Sequence, residues 1–296
     1  MNQNQLNQIL KEHSLWLQDA SKRSKADLSN QDLSGLNLSY VNLESANLES
    51  ANLIGINLIG INLSYANLKD ANLEKAYLED ANLENANLVS AILENANLSW
   101  ANLKNANLKY ANLKYVNLED ANLKNANLSL VNLKNANLKN ANLEKAYLYN
   151  ANLEKAYLYN ANLENTYLKD ANLKDANLEK AKLPHFQIPQ DGTLVVWKKV
   201  SLNDDYVLAK LLLPAKAHRT MTLVGRKCRA EYVKTISFHD LSGRILKVKK
   251  TRSTYTGNTS YTIGRLTKPD SYNPDIRIEC SNGIHFFLTM KEAAAY

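Results

Sequence analysis

A leucine recurs at every fifth position from Leu28 to Leu183, 32 times without a skip. Two positions before each leucine stands a small or aliphatic residue, usually Ala, and one position before it usually stands Asn. The repeat is therefore A-N-L-x-x, and residues 141–150 and 151–160 are two identical copies of ANLEKAYLYN. An identical tandem repeat indicates a repeat architecture, in which each repeat buries its apolar residues only against its neighbours.

A period of five matches neither the 3.6-residue period of a helix nor the two-residue period of a long strand. On a short extended segment, however, Ala and Leu two positions apart point the same way, so both are predicted to face inward. The Asn and the two x residues are predicted to face outward or to turn the chain. We expect the Asn at the corner, because its side chain bonds nearby backbone and it tolerates left-handed conformations.

Residues 26–183 resemble the pentapeptide-repeat proteins, whose pattern is A-(D/N)-L-x-x. The resemblance implies an all-β fold, a right-handed quadrilateral parallel β-helix in which four repeats make one coil. With 32 repeats the chain would form about eight coils. Stacked at about 4.8 Å, these coils would make a rod about 38 Å long.

The two ends of the repeats need covering, because an open β-helix exposes unpaired backbone and its leucine lumen. An amphipathic capping helix is predicted in residues 1–25, with a partner-binding helix as the alternative. Its apolar face is formed by Leu6, Ile9, Leu10, His13, Trp16, Leu17 and Ala20. At the other end Pro184 is expected to stop the ladder, and Phe186 and Ile188 to plug the lumen.

Residues 184–191 are predicted to be a linker, and residues 192–296 a separate, mostly β, α+β domain. Thr289 and Glu292 form a capping box for a final helix. GRKCRAEYVK and ECSNGIHFFLT, with the closing A-A-Y, resemble a small domain of unknown function found after pentapeptide repeats in bacterial, phage and giant-virus proteins; that resemblance implies no activity. The strand-like runs are 193–200, 206–214, 230–238, 244–250 and 283–288.

Charge divides the chain. Residues 26–183 carry 14 basic and 18 acidic side chains, whereas residues 184–296 carry 18 and 9. If residues 247–250 form a strand, Lys247 and Lys249 share a face, as do Lys227 and Arg229 if their segment is extended. We expect these residues to form a basic surface that binds nucleic acid or an acidic protein. In the alternative interpretation the surface is only solvated, or it binds the acidic repeats of the same chain. Its candidates are Lys198, Lys199, Arg219, Arg226, Lys227, Arg229, Lys247, Lys249, Lys250 and Arg252.

The best-known activity implied by the family resemblance is gyrase or topoisomerase binding by a rod that imitates DNA, which requires a dense negative surface. Here Asp precedes the leucine only at Asp27 and Asp32, and Asn does so 24 times. Residues twenty apart are expected to stack, and there the charges are mixed, as at Lys134 and Glu154. DNA mimicry is therefore kept only as an alternative function.

Exposed apolar residues suggest further contacts on the rod. Tyr147 and Tyr167 lie twenty apart and are predicted to stack on one side, where Tyr149 adds aromatic area. A docking surface is one interpretation, and an aromatic ladder that covers backbone is the other. Ile54 and Ile59 occupy outward positions and suggest contact with the N-terminal helix or with a partner.

No metal or cofactor is predicted. Two cysteines are too few for a disulfide framework and are interpreted as reduced. Cys280 with His285, or Cys228 with His218 or His239, could form a metal site in principle, but the spacings match no zinc signature. No apolar run resembles a signal peptide or a membrane span, so we expect a cytoplasmic protein without membrane contact.

An enzyme is the other class to weigh. GIHFF and the segment His218-Arg219-Thr220 resemble the G-I-Y-F and H-x-T motifs of ADP-ribosyltransferases, but His285 replaces the tyrosine and the strands with the catalytic Glu are missing. We therefore predict a non-enzymatic scaffold, a rigid rod that presents a basic module. An unknown protein is the expected partner, with nucleic acid as the second candidate, and the chain would be a monomer or an end-to-end or side-by-side dimer.

Overall fold

A computed structural model of the chain describes residues 1–21, 24–184, 188–189, 191–203, 205–254, 259–278 and 281–296. The chain forms two compact bodies, Met1–His185 and Phe186–Tyr296, which we call the repeat domain and the C-terminal domain. Each has its own buried core. No helix among the described residues is long and apolar enough to cross a membrane.

The repeat domain begins with helix α1, Gln3–Gln18. Its first turn is closed by a capping box: the side chain of Asn2 accepts the N–H of Gln5, and the side chain of Gln5 accepts the N–H of Asn2. These bonds satisfy two amide groups that have no partner inside the helix. The predicted N-terminal helix is thus present, although Ala20 lies beyond its end.

Helix α1 packs on the first repeats, as expected of a cap. Leu6 and His13 are fully buried. The N–H of Ala26, where the repeats begin, donates to Nδ1 of His13 at 3.0 Å. The terminal ammonium group of Met1 donates to the carbonyl oxygen of Asp32 at 3.2 Å. Burial lowers the pKa of His13, so this imidazole is held neutral against the repeats.

The lumen of the repeats is filled by leucine. Every repeat leucine from Leu28 to Leu173 is at most 3% exposed, and the residue two positions earlier is buried in nearly every repeat. Each such leucine stabilises the fold by about 1.5–3 kcal/mol relative to an exposed one. The inward direction of Ala and Leu is therefore confirmed. Leu178 and Leu183 are partly exposed, because no further coil covers them.

Backbone bonds join positions twenty residues apart. The residue before each leucine forms a parallel β-bridge with its counterpart one coil later, from Asp27↔Asn47 to Asn162↔Lys182. In the first of these, Leu28 N–H donates to Asn47 O at 2.7 Å, and Asn47 N–H donates to Ala26 O at 2.9 Å. The repeats are thus a parallel β-helix whose coils share one hydrogen-bond pattern.

The corner lies two residues after each leucine, not at the Asn. Tyr40 and Trp100 have φ of 60° and 59° there, as do the corresponding residues of nearly every repeat. The turn is closed by a bond such as that from Ala46 N–H to Leu43 O, 3.0 Å. A type II turn has a positive φ at its third residue, which explains the position. The expectation that Asn occupies the corner was wrong.

The Asn side chains instead form ladders along the coils. Oδ1 of Asn62 accepts the N–H of Ser64 at 3.1 Å, and Nδ2 of Asn62 donates to Oδ1 of Asn42 at 2.9 Å. An amide carries both donors and an acceptor, so a column of amides can bond in both directions along the rod. The need for a side chain that both donates and accepts explains the predominance of Asn at this position. The tolerance of Asn for left-handed backbone conformations does not explain it.

Opposite charges one coil apart form ion pairs, as their spacing predicts. Lys139 and Glu119 lie 2.7 Å apart, and Lys104 and Glu84 lie 2.9 Å apart. Such half-exposed pairs stabilise the coils only modestly, because solvent screens their charges. They also cancel much of the field of the repeats. The other pairs of this spacing are Lys69–Glu49, Lys114–Glu94, Lys124–Glu144 and Lys134–Glu154.

The C-terminal domain is mostly β, as predicted. Helix α2, Met290–Ala295, closes it, with the expected capping box between Thr289 and Glu292. Its described strands are β1 (Leu194–Leu202), β2 (Asp205–Leu213), β3 (Arg219–Met221), β4 (Cys228–Ala230), β5 (Val233–His239), β6 (Ile245–Leu246), β7 (Lys250–Ser253), β8 (Ser260–Thr262), β9 (Leu266–Thr267) and β10 (Ile284–Phe286).

These strands form two antiparallel sheets among the described residues. The larger has the order β6-β5-β2-β1-β7-β8, with β9 also paired to β5, and the smaller has the order β10-β4-β3. Trp197 in β1 and Phe287, just after β10, exchange backbone bonds of 2.9 and 2.7 Å and so join the sheets. The core between them includes Val196, Val200, Leu211, Phe238, Ile284 and Phe286.

Two boundary predictions need correction. Ile188 is 2% exposed and packs in the core of the C-terminal domain, so it does not plug the lumen of the repeats. This residue of the predicted linker is therefore part of the C-terminal domain. Phe186 lies outside the described residues. The run 244–250 contains the short strand β6 and only the first residue of β7, and residues 247–249 between them are not a strand.

Candidate functional site

Arg229, a predicted member of the basic surface, is completely buried in β4. Its Nε donates to the carbonyl oxygen of Asn273 at 3.1 Å, and its terminal nitrogens donate to the carbonyl oxygens of Asp275 and Ile278. A buried guanidinium group needs such acceptors, because it cannot lose its charge. The assignment of Arg229 to an exposed surface was therefore wrong; it holds the loop of residues 273–278.

Arg219 in β3 is likewise structural. It is 5% exposed. Its guanidinium group donates to the carbonyl oxygens of Gly192, Pro214 and Pro189 at 2.9, 3.0 and 3.1 Å. Arg226 is more exposed but donates to a carboxylate oxygen of Glu292 at 2.8 Å. These arginines fasten backbone segments and helix α2, so they add little to an open basic surface.

Four predicted cations do lie on the surface. Lys247, Lys249, Lys250 and Arg252, which we call the basic segment, are all exposed. Since residues 247–249 are not a strand, the predicted common face of Lys247 and Lys249 does not follow from strand alternation. Arg252 and Lys250 lie in β7, two positions apart on the same face.

Other basic residues face a cavity of about 510 Å³ in the C-terminal domain, which we call the lysine cavity. Lys198, Lys227, His285 and Tyr296 line it, and the same four residues border an adjoining cavity of about 200 Å³. The lysine cavity is completed by Ser253, Thr259, Tyr261, Pro269, Asp270, Ser271, Ser281, Asn282, Gly283 and Ile284.

Strand alternation places Lys198 in the cavity. Val196, Lys198 and Val200 point to one side of β1, and both valines are fully buried in the core. Burial lowers the pKa of Lys198 to about 8, with a smaller contribution from Lys227. Lys198 therefore stays mostly cationic at pH 7, but it is held in an unfavourable environment.

Lys227 was predicted to share an exposed face with Arg229, and this too was wrong. It stands just before β4 and is 6% exposed. Its ammonium group lies 4.3 Å from the centre of the Tyr296 ring and donates to the Tyr296 hydroxyl oxygen. The aromatic face offsets part of the cost of burying this charge.

His285 lies in β10 between Ile284 and Phe286, which point into the core. Burial, followed by the charges of Lys227 and Lys198, lowers its pKa to about 4. The imidazole is therefore neutral at pH 7. Its Nε2 is buried and meets no hydrogen-bond partner among the described protein groups.

The described residues hold no cluster of three or more His, Cys, Asp or Glu side chains that fits a metal ion. Cys228 is buried, and burial raises the pKa of its thiol to about 12. His218 contacts Glu231 at 2.9 Å, and His239 lies 2.8 Å from Ser237. Cys280, the candidate paired with His285, lies outside the described residues.

On the repeat domain the rings of Tyr147 and Tyr167 stack with centres 4.9 Å apart and planes 8° apart, as their spacing predicts. Tyr149 lies 6.3 and 6.1 Å from these two rings. Tyr147 and Tyr167 replace Asn in the ladder and interrupt its amide bonds. Ile54 is exposed, whereas Ile59 is half-buried.

The four cavity residues were not predicted to lie together. A signal was present for Lys198, because the run VVWKKV puts a lysine at the middle of an apolar face. No comparable signal existed for Lys227, His285 and Tyr296, which reach the cavity from three separate segments.

Known families match both domains. The model "Pentapeptide repeats (8 copies)" matches residues 24–49, 42–80, 71–109, 81–119, 111–148 and 146–183. The model "Family of unknown function (DUF5758)" matches residues 184–293. No curated protein matches the chain.

Several solved structures are similar to part of the chain. Rfr23 from the cyanobacterium Cyanothece 51142 is 42% identical over 31% of this chain, with a TM-score of 0.30, and the chain spans only 62% of that protein. HetL from Nostoc sp. strain PCC 7120, involved in heterocyst differentiation regulation, is 31% identical over 57% of this chain and 93% of its own, with a TM-score of 0.26.

QnrB1, a plasmid-mediated fluoroquinolone resistance protein, is 17% identical over 55% of this chain and 93% of its own, with a TM-score of 0.32. At such TM-scores none of these likenesses carries a conclusion about function. The family match, in contrast, spans residues 24–183, more than half of the chain. With its Leu-filled coils and Asn ladders, the protein belongs to the pentapeptide-repeat family, and its repeats form a right-handed β-helix.

Proposed function

We propose that this protein is a non-enzymatic interaction protein. Its repeats serve as a rigid quadrilateral β-helix of about eight coils, and its C-terminal domain, residues 192–296, supplies a basic surface that binds a partner. The observation that carries this proposal is the basic segment, four exposed cations within six residues. Among the described residues, none of these four cations forms an ion pair with a carboxylate.

The partner is an acidic surface, and we favour a protein over nucleic acid. Residues 184–296 carry 18 basic and 9 acidic side chains, so a negative partner is attracted from about a Debye length, 8–10 Å. Several other cations are already engaged inside the domain, as Arg219 and Arg229 are. The remaining exposed cations form a short patch, which suits an acidic protein segment better than a long nucleic-acid track.

The repeats support a structural role. Leu and Ala fill the lumen from Leu28 to Leu173, which leaves no cleft for a substrate there. Amide ladders and ion pairs one coil apart replace the columns of negative charge that a DNA mimic needs. We therefore expect no inhibition of gyrase supercoiling by the purified protein at micromolar concentration; clear inhibition would favour the DNA-mimic alternative instead.

The stacked tyrosines are proposed as a second contact. Tyr147, Tyr149 and Tyr167 leave aromatic surface in one column of the repeat domain. Aromatic residues are enriched at the centres of protein interfaces. Changing the three to Asn restores the ladder residue at two positions, so the variant should stay folded while partner binding weakens.

The test is an affinity pull-down with the full-length chain, with and without nuclease. In the test variant Lys247, Lys249, Lys250 and Arg252 are changed to Glu. In the matched control Lys216, Lys234, Arg265 and Lys291, all exposed, receive the same change. We expect one acidic protein to be retained by the wild type and the control and lost by the test variant. Capture that nuclease abolishes would assign the basic segment to nucleic acid, and equal capture by both variants would refute the proposal.

A further inference from the structure

We propose that the lysine cavity is a binding site for a small molecule that carries a phosphate group. This inference goes beyond the proposed partner binding, which rests on the basic segment and not on the cavity. The cavity volume of about 510 Å³ lies in the usual range of small-molecule sites.

The charge of the cavity fits a phosphate ester. Lys198 and Lys227 line the same space, and the charge of Lys227 contributes to the lowered pKa of Lys198. A phosphate ester carries a charge of about −1.5 to −2 and three strong acceptor oxygens. Its three acceptor oxygens can therefore reach both ammonium groups at once, whereas a carboxylate has only two oxygens and one negative charge.

Neutral polar groups complete the site. His285 is neutral, and its buried Nε2 meets no hydrogen-bond partner among the described protein groups. Leaving such an atom without a partner is unfavourable, so a ligand that bonds to it gains affinity. The other ring nitrogen bonds to the backbone of Ser281, which leaves Nε2 as an acceptor for a hydroxyl group of the ligand. Further polar side chains on the wall are Ser253, Thr259, Ser271, Ser281 and Asn282.

The shape of the cavity indicates an esterified phosphate. A phosphate group fills only a small part of the volume, and Tyr261, Pro269 and Ile284 add apolar wall for an organic group. Asp270 is exposed and is the one carboxylate side chain among the lining residues. It would accept a bond from a ligand hydroxyl and would repel a second anionic group, which favours a monophosphate.

A small molecule suits the site better than a phosphate of the nucleic-acid backbone. Lys227 is only 6% exposed, and Lys198 lies on the core face of β1. A duplex or a folded RNA cannot bring its backbone to a recessed ammonium group without entering the domain. The exposed basic segment, not the lysine cavity, is the surface such a polymer would reach.

The experiment is calorimetric titration of the full-length chain with inorganic phosphate, ribose 5-phosphate, adenosine monophosphate and adenosine. We expect one site per chain for the two esters, weaker binding of inorganic phosphate and none of adenosine. Lys198→Met and Lys227→Met should each weaken ester binding at least tenfold, and Lys291→Met, an exposed control on α2, should not. Absence of saturable ester binding, or equal loss in the control, would overturn the proposal. Inorganic phosphate binding as tightly as the esters would refute the esterified ligand.

A second measurement avoids the risk that a variant fails to fold. The wild-type chain is treated at pH 8 with an amine-acylating reagent, and labelling of each lysine is followed by mass spectrometry. We expect ribose 5-phosphate to reduce labelling of Lys198 at least fivefold and to leave Lys291 unchanged. Labelling of Lys198 that ignores saturating ester would contradict the site even if the titration shows heat.

Discussion

The Nε–H of Arg229 donates to the carbonyl oxygen of Asn273 at 3.1 Å, so a strand residue holds a loop that follows it by 44 positions. Arg229 pairs with His285 in β10 and with Thr220 in β3, at the middle of the three-stranded sheet. The loop of residues 273–278 is thus tied to the strand that carries His285.

Arg229→Met should destabilise the C-terminal domain by about 3 kcal/mol or more, because carbonyl groups that it now satisfies would lose a charged donor. Hydrogen exchange followed by mass spectrometry is the measurement, and peptides covering 273–278 should lose protection first. Arg252→Met, at an exposed position, should change nothing. Unchanged exchange in the loop would show that Arg229 does not hold it.

Leu103→Lys should unfold the repeat domain cooperatively. Leu103 is fully buried, and Leu83 and Leu123, one coil before and after it, are buried as well. A lysine there would place an unpaired charge in a leucine lumen. Circular dichroism on heating should show lost β-structure, whereas Asn95→Lys, at an exposed corner where other repeats carry Lys, should melt like the wild type. An unchanged melting temperature for Leu103→Lys would contradict a packed lumen.

Deleting residues 121–140 should leave a folded β-helix, because positions twenty apart share bridges and every amide column rejoins. Deleting residues 151–160 also keeps the five-residue period, but it shifts the columns that meet at the junction by half a coil. In the variant that lacks residues 151–160, charged side chains and tyrosines would therefore stack on columns of amides instead of on their own kind. We expect this variant to have a lower melting temperature than the variant that lacks residues 121–140. The opposite order would mean that side-chain columns contribute little.

Stability should fall on acidification because of His285, whose pKa is lowered to about 4 from an ordinary value of 6.5. Between these values the unfolded chain binds a proton that the folded chain rejects, so the free energy of unfolding decreases as the pH drops through this window. His285→Asn removes the effect. Urea unfolding at several pH values should show the wild type losing stability relative to the variant from pH 6.5 to 4. Parallel curves would show that His285 is not held neutral.

The lumen was predictable because every leucine meets the same neighbours, so the five-residue period alone decides burial. The Asn position was predicted less well. Its local preference for corners competes with the bonds that it makes to the coil twenty residues away, and the ladder between Asn42 and Asn62 shows which effect prevails.

The C-terminal domain was less predictable for a related reason. Strand alternation reveals that Lys198 belongs to the core face. The burial of Arg229, in contrast, depends on carbonyl groups supplied by a later loop. The part of the cavity wall formed by Lys227 and Tyr296 depends on the packing of helix α2 against the sheet. Such contacts carry no local pattern in the sequence.

The bridge pattern that links Asp27 to Asn47 is repeated along the repeats as far as Asn162 and Lys182. Each coil therefore accepts any other as its neighbour, and unequal recombination between near-identical coding segments can lengthen or shorten the gene without the selection of a new core. The number of coils can thus change during evolution by gain or loss of whole repeats, whereas the surface chemistry changes by single substitutions.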